Sequence, residues 1–284
     1  MGVPPLTSTQ GALTTRKHTR KTFEDTHIFD VIEEPETLRL IAGNDIYLLG
    51  GQFAILCQFA HPSLAKGSYK HSNFPSRIYQ RLRNTSRFIN VAIFGTAEEK
   101  KAIFSVIHRY HSCVKGTDYD ADDPELHKWT AATLFVLSDM VEALYKESAI
   151  FGTSLRMPPK MWPATLDDFW AYWNNNLATL EITEEAYNLS QHLLYPTSLP
   201  LWMVFMSPFA RLITTNWLPE RLATGYRLQP STVSRILYRY VVLSVRIMYP
   251  IIPNGLKQRQ HRIHMEDLKK AVNRIMETGH WAVP

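Results

Sequence analysis

"FPSRIYQRLRNTSRFINVAIFGTAEEKKAIFSVIHRYH", residues 74–111, reads as a complete helix–stop–helix unit. Its first half sets Ile78, Leu82, Thr85, Ile89 and Ala92 on one face and Gln80, Arg83, Arg87 and Asn90 on another. That is the 3.6-residue period of an amphipathic helix, with Arg81 leaning toward the apolar side. Gly95 ends it, and "TAEE" opens the next helix as a capping box, in which the Thr96 hydroxyl and the Glu99 carboxylate each serve a free backbone donor. The second helix carries Ile103, Val106, Ile107, Tyr110 and Val114 as its apolar stripe, and Gly116 is expected to close it. His111 stands inside that stripe, four residues after Ile107, with His108 one turn earlier beside it. The unusual feature is an imidazole on a face that ought to be buried.

Outward from this unit the helical period continues, and no run alternates long enough to argue for a sheet, so the chain is expected to be all-α, a single globular multi-helix bundle. "NDIYLLGGQFAILCQFA" reads as one helix beginning at Asn44 or Asp45 and stopping before His61 and Pro62. Gly50 and Gly51 inside it imply either tight helix packing or a flat ligand close to the backbone. Downstream, Asp123 caps a helix with Pro124 in its first turn and with Leu126, Trp129, Thr133, Leu137, Met140 and Leu144 facing inward as far as Gly152. "MPPKMWP" is a rigid connector, and five further helical segments follow, beginning "TLDDFWAYWNNNL" and ending "HMEDLKKAVNRIM". Residues 1–30 are polar and basic, with too little apolar surface to offset the entropy of ordering. They are expected to be a flexible arm, leaving 31–284 as the folded domain.

A chain of 284 residues with 45% hydrophobic and 20% charged residues is long and apolar enough to bury a sizeable core. The net charge of +5 comes partly from "TTRKHTRKTF" and partly from "GLKQRQHRIH", near the termini and not along one recognition helix, so no nucleic-acid partner is expected. Cys57 and Cys113 both fall in segments that read as helices, have no CxxC spacing and fit a reducing compartment. No signal peptide is read at the N-terminus. The most apolar stretches, "LPLWMVFMSPFARLI" and "ILYRYVVLSVRIMYPII", are interrupted by Pro208, Arg239 and Arg246 and do not suit a bilayer span. An intracellular location follows, cytoplasmic or with peripheral membrane contact. The oligomeric state is not readable.

Several chemistries lack their signatures. No GxGxxG follows a strand, and GxxxxGK[ST], GxSxG and HExxH are absent. Asp167 and Asp168 open a helix, where capping accounts for them. His108 and His111 share a face, as metal ligands three apart must, but the nearby carboxylates Glu98, Glu99, Asp122 and Asp123 sit at helix starts and no ExxH pair accompanies them. A single axial histidine to haem iron demands less, because the porphyrin supplies the equatorial nitrogens. The ordinary alternative is a core histidine bonded to a backbone carbonyl.

Taken in order, "GGQFAILCQFAHPSLAKGSYKHSNF", "RIYQRLRNTSRFINVAIFGT", "HSCVKG" and "YDADDPELHKWTAATL" resemble the successive motifs of the haem oxygenase superfamily that contains rubber-cleaving latex-clearing proteins and the mycophenolate-pathway oxygenase. The likeness is close over residues 37–145 and holds in outline beyond. It implies a b-type haem in the bundle, with His111 of HxxVxG as the proximal iron ligand. Arg81 and Thr85 match RLxxT, so the resemblance places them on the distal side, Arg81 holding a propionate or polarising bound oxygen. Asn84 stands where rubber oxygenases have a lysine, and cannot ligate iron as an amine would. Ala131 replaces the histidine of Trp-Val-His-Ala-Thr-Leu. His71, in the HS element, either faces the pocket or caps the turn before Phe74; His108 has no family counterpart, and His127 reads as solvated. Phe53, Phe88 and Trp129 are candidate pocket walls from helix phase.

The resemblance implies a haem-dependent oxidative enzyme in specialised metabolism, using O2 or peroxide on a hydrophobic or aromatic small molecule. Arg81, Asn84 and Thr85 are its expected catalytic groups, with His111, His108 and His71 beside the cofactor. Cleavage, hydroxylation, radical coupling and cyclisation all stay open. So do a haem carrier without turnover and a haem-free interaction module.

Overall fold

The computed structural model describes residues 35–136 and 142–280. Among the described residues the chain is helical with no strand; an isolated bridge pairs Lys115 with Asp120. The helices are α1 (Glu36–Ala42), α2 (Gly51–Phe59), α3 (Pro62–His71), α4 (Phe74–Phe94), α5 (Ala97–His111), α6 (Pro124–Phe135) and α7 (Glu142–Thr153), followed by α8 (Leu166–Thr179), α9 (Glu184–Leu194), α10 (Leu201–Trp217), α11 (Glu220–Gly225), α12 (Thr232–Met248), α13 (Asn254–Lys257) and α14 (Arg259–Thr278). The expected flexible arm at 1–30 lies outside the described residues, as do Leu137 and Met140.

The predicted stops and caps hold at α4 and α5. Gly95 follows α4 directly, and Thr96 and Glu99 exchange both capping-box hydrogen bonds, Glu99 N–H to the Thr96 hydroxyl at 3.3 Å and Thr96 N–H to the Glu99 carboxylate at 2.9 Å. Asp123 caps α6 by accepting from Glu125 N–H at 2.9 Å, with Pro124 at the first helical position. Asp168 forms a further capping box with Thr165 at the start of α8.

Three expectations need correction. The helix expected over 44–60 is a 3-10 segment, Asp45–Gly50, that becomes α2 at Gly51, so the glycine pair marks a change of winding. A side-chain carbon at Gly51 would meet nothing within 4 Å, so packing does not require glycine there. Asp45 does not cap its own segment: its carboxylate accepts from the Gln260 and His261 backbone N–H groups at 2.8 and 2.9 Å and so caps α14 from across the fold. α5 ends at His111 instead of reaching Gly116, which leaves Val114 and the exposed Cys113 in the turn beyond the helix.

The core lies where α2, α4, α5, α6, α7, α9 and α14 meet, and Leu56, Ile93, Ile103, Phe135, Leu144, Phe151, Leu189 and Leu268 are fully enclosed. On one side it continues as stacked aromatics. Trp129 lies parallel to Trp173 at 4.9 Å while its indole N–H donates to the Cys57 carbonyl at 3.0 Å, and Phe135 meets Phe169 edge-on at 4.7 Å. The polar face of α4 is not a solvent face. Arg87 and Asn90 are buried, and Arg87 meets Asp267 of α14 through two nitrogens at 2.7 and 3.2 Å, with Arg83 bonded to the same carboxylate. Among the described residues no single helix is long and apolar enough to cross a membrane; α1 and residues 45–59 together meet that test but are bent by 82°.

Candidate functional site

His111 is the last residue of α5, and the chain turns immediately after it. Ala121 N–H returns to the Val114 carbonyl at 3.0 Å and Gly116 N–H to the Tyr119 carbonyl at 2.8 Å, closing residues 114–121 into a tight hairpin. The Tyr119 ring folds onto Gly116, where any side-chain carbon would lie under 3.0 Å from the ring, so this position requires glycine. The Tyr119 hydroxyl then meets His71 Nε2 at 2.8 Å. HxxVxG and the tyrosine after it are therefore one device that ends α5 at His111 and brings Asp122 and α6 against it.

Around His111 the chain gathers charge and imidazole. His127 of α6 is buried, and its ring lies 6.2 Å from that of His111, inclined by 30°. This corrects the solvated reading of His127: from Leu126 onward no residue of α6 is exposed, and Ala131 and Leu134, one and two turns on from His127, are also enclosed. His127 Nε2 contacts the Ala121 carbonyl at 2.9 Å, which fixes the proton on Nε2 and leaves Nδ1 a bare acceptor, buried and with no hydrogen-bond partner among the described residues. His61 Nδ1 is likewise buried without one.

Electrostatics keep His111 neutral. Burial, then the neighbouring His127, bring its pKa from 6.5 down to about 4, with His108 and Arg81 adding to the fall and Asp122 opposing it. Burial lowers His127 and His61 as well. Neutral imidazole is the form that ligates metal. The His111 ring makes no hydrogen bond among the described residues, although its backbone carbonyl accepts from Val114 N–H at 2.8 Å.

Arg81 lies on the face of α4 turned to α3, its guanidinium 5.2 Å over the Phe74 ring and 3.4 Å from the Ser68 hydroxyl. No carboxylate pairs with it among the described residues, and burial lowers its pKa. A half-buried cation so thinly partnered has capacity for an anion.

The remaining candidates are engaged elsewhere. His108 accepts from Arg156 Nη1 at 2.8 Å through Nε2, so Nδ1 carries the proton and donates to Asp122 at 3.1 Å. Both ring nitrogens are used in tying α5 to the α6 entry and the turn after α7. Asn84 accepts from Gln80 at 2.8 Å and Arg87 at 3.2 Å, and Thr85 and His71 are exposed. No hydrogen bond or ring contact joins His71, Asn84 or Thr85 to His111 among the described residues. Phe53, Phe88 and Trp129 are buried core residues. A small pocket lined by Asn44, Tyr47, Ser86, Asn90 and His264 lies apart from this cluster. No group of three or more His, Cys, Asp or Glu side chains able to hold a metal ion occurs among the described residues. The arrangement offers unpartnered imidazole nitrogens on His111 and His127 and one cation for an anionic group.

Two mycobacterial proteins resemble the chain: uncharacterized proteins of Mycobacterium bovis and Mycobacterium tuberculosis, each 24% identical over 242 residues, covering 76% of this chain and 93% of the relative. No solved structure gives a significant match. Residues 38–247, which hold the hairpin, His111, Arg81 and His127, match the family described as ER-bound oxygenase mpaB/B'/Rubber oxygenase, catalytic domain. The chain belongs to that oxygenase family.

Proposed function

We propose that the protein is a haem b-dependent oxidative enzyme that acts on a hydrophobic or aromatic small molecule with O2 or peroxide as oxidant. Membership of an oxygenase catalytic-domain family supports oxygenase-like chemistry. The observation that carries the haem reading is the pairing of a neutral, half-buried His111, its ring free of hydrogen bonds among the described residues, with the unneutralised Arg81 guanidinium. These fit the two needs of an iron porphyrin, one axial nitrogen and a cation for its propionates.

When bound, haem supplies the redox chemistry that activates the oxidant. His111 would hold the iron and Arg81 a propionate or a negative charge developing nearby. His127 offers its bare Nδ1 as an acceptor for a hydrogen bond or a proton beside His111. His108 works indirectly, fixing the end of α5 through Asp122 and Arg156. The enclosed aromatic side chains keep the surroundings dry, which strengthens each of these interactions.

The test is an absorption spectrum and iron assay of purified wild-type protein, His111→Ala and His108→Ala. The expected result is a Soret band and stoichiometric iron in the wild type and His108→Ala, and loss of both in His111→Ala. Stoichiometric haem in His111→Ala would overturn the assignment.

A further inference from the structure

α12 is a long helix of 17 residues in which none is buried. Its inner side leans on α10, where Asn216 donates to the Ser234 hydroxyl at 3.1 Å and the Trp217 indole N–H to Tyr238 at 2.7 Å. Its outer side is apolar. Val233, Ile236, Tyr240, Leu243 and Ile247 recur at helical spacing and are exposed, Val233 to 74% and Tyr240 to 67%. α10 adds a ridge of its own, with Leu201 88% and Phe205 84% exposed. A soluble surface rarely leaves so many large apolar side chains exposed on two packed helices unless something covers them.

Charge identifies the cover. Between Arg221 and Met265 the sequence holds eight Lys or Arg and no Asp or Glu. On α12, Arg235, Arg239 and Arg246 form a row along one flank of the apolar stripe, exposed and with no ion-pair partner among the described residues. An antiparallel two-fold contact through this face would set the two arginine rows side by side, with no carboxylate of α12 to meet them. An apolar stripe edged by arginines matches the boundary between acyl chains and anionic headgroups.

We propose that the outer face of α12, with the α10 ridge beside it, docks the protein on an anionic lipid membrane, the helix lying in the plane of the interface. The apolar stripe enters the acyl boundary and the three arginines meet headgroup phosphates. This rests on the exposed face alone and is independent of the haem assignment.

The test is co-sedimentation of the full chain with phosphatidylcholine vesicles, with and without about one-third phosphatidylserine. Binding to the anionic vesicles, weakened by salt, is expected, and it should fall about tenfold or more in Arg239→Glu/Arg246→Glu and in Ile236→Ser/Tyr240→Ser. Both pairs are solvent-exposed, and unchanged far-ultraviolet circular dichroism verifies their folding. The proposal is overturned if the full chain stays in the supernatant with both vesicles, as it would were a protein partner covering the face. Binding indifferent to both variants also overturns it, as does a wild-type dimer that Ile236→Ser/Tyr240→Ser converts to monomer.

Discussion

Arg81 and His111 carry opposite burdens in the cofactor-free protein. The guanidinium is taken from water with a 3.4 Å contact to Ser68 and no carboxylate, an arrangement that costs stability unless an anion arrives. Arg81→Met is therefore expected to stabilise the cofactor-free protein, by about 1 kcal/mol in urea unfolding, while weakening haem binding. A loss of stability would show that Arg81 serves the fold. His111 gives a pH dependence with a definite sign. Its unfolded pKa is the ordinary 6.5 and its folded value about 4, so between these the unfolded chain binds more protons. Stability from this group is complete above about pH 6.5 and declines as pH falls toward about 4, with His127 and His61 acting in the same direction. Urea midpoints of cofactor-free protein should drop between about pH 7 and about pH 5, and a flat profile would contradict buried neutral imidazoles. His111 drew notice in the sequence because it interrupts an apolar stripe, but the stripe alone fits an ordinary core histidine, and its candidacy as an iron ligand came from the HxxVxG resemblance. His127 was not legible, because it stands beside Lys128 in a helix that is enclosed on nearly all sides and so gives little polar face against which to phase a histidine.

At the scale of elements, α4 and α14 are joined by one carboxylate. Burial alone would raise the Asp267 pKa, but hydrogen bonds and charge from Arg83 and Arg87 outweigh it and hold it below the usual carboxylate range. This contribution is present above the unfolded carboxylate pKa and lost as pH falls through the lower folded value. Removing the carboxylate strands the buried Arg87, so Asp267→Ala should cost about 3 kcal/mol in chemical denaturation, against at most about 1 kcal/mol for the more exposed Arg83→Ala. The period of α4 was readable because Arg83, Arg87 and Asn90 recur correctly. Their partner was not, since Asp267 lies 180 residues beyond Arg87 and pairing at that distance leaves no mark on local periodicity. The same holds for Asp45, which reads as a local cap and instead serves α14. Asp45→Ala should lower stability by about 1 kcal/mol with the loss located at the start of α14 by hydrogen exchange.

The whole molecule separates its tasks. The buried bundle of α2, α4 to α7, α9 and α14 holds the histidines in place, the aromatic block around Trp129 and Phe169 stiffens one side, and α10 and α12 project an apolar, arginine-edged surface. Helical class and stop signals were written locally, in the Gly95–Thr96 junction and in Asp123–Pro124. The arrangement of helices was carried by long-range pairs and emerged only in three dimensions. The central claim is that one imidazole of this bundle holds haem iron, and titration of the cofactor-free chain with haemin tests it most directly, comparing wild type with His111→Gly in the presence and absence of free imidazole. The expected result is a one-to-one Soret endpoint in the wild type, lost in His111→Gly and restored by imidazole. An unchanged endpoint in His111→Gly without imidazole would contradict it.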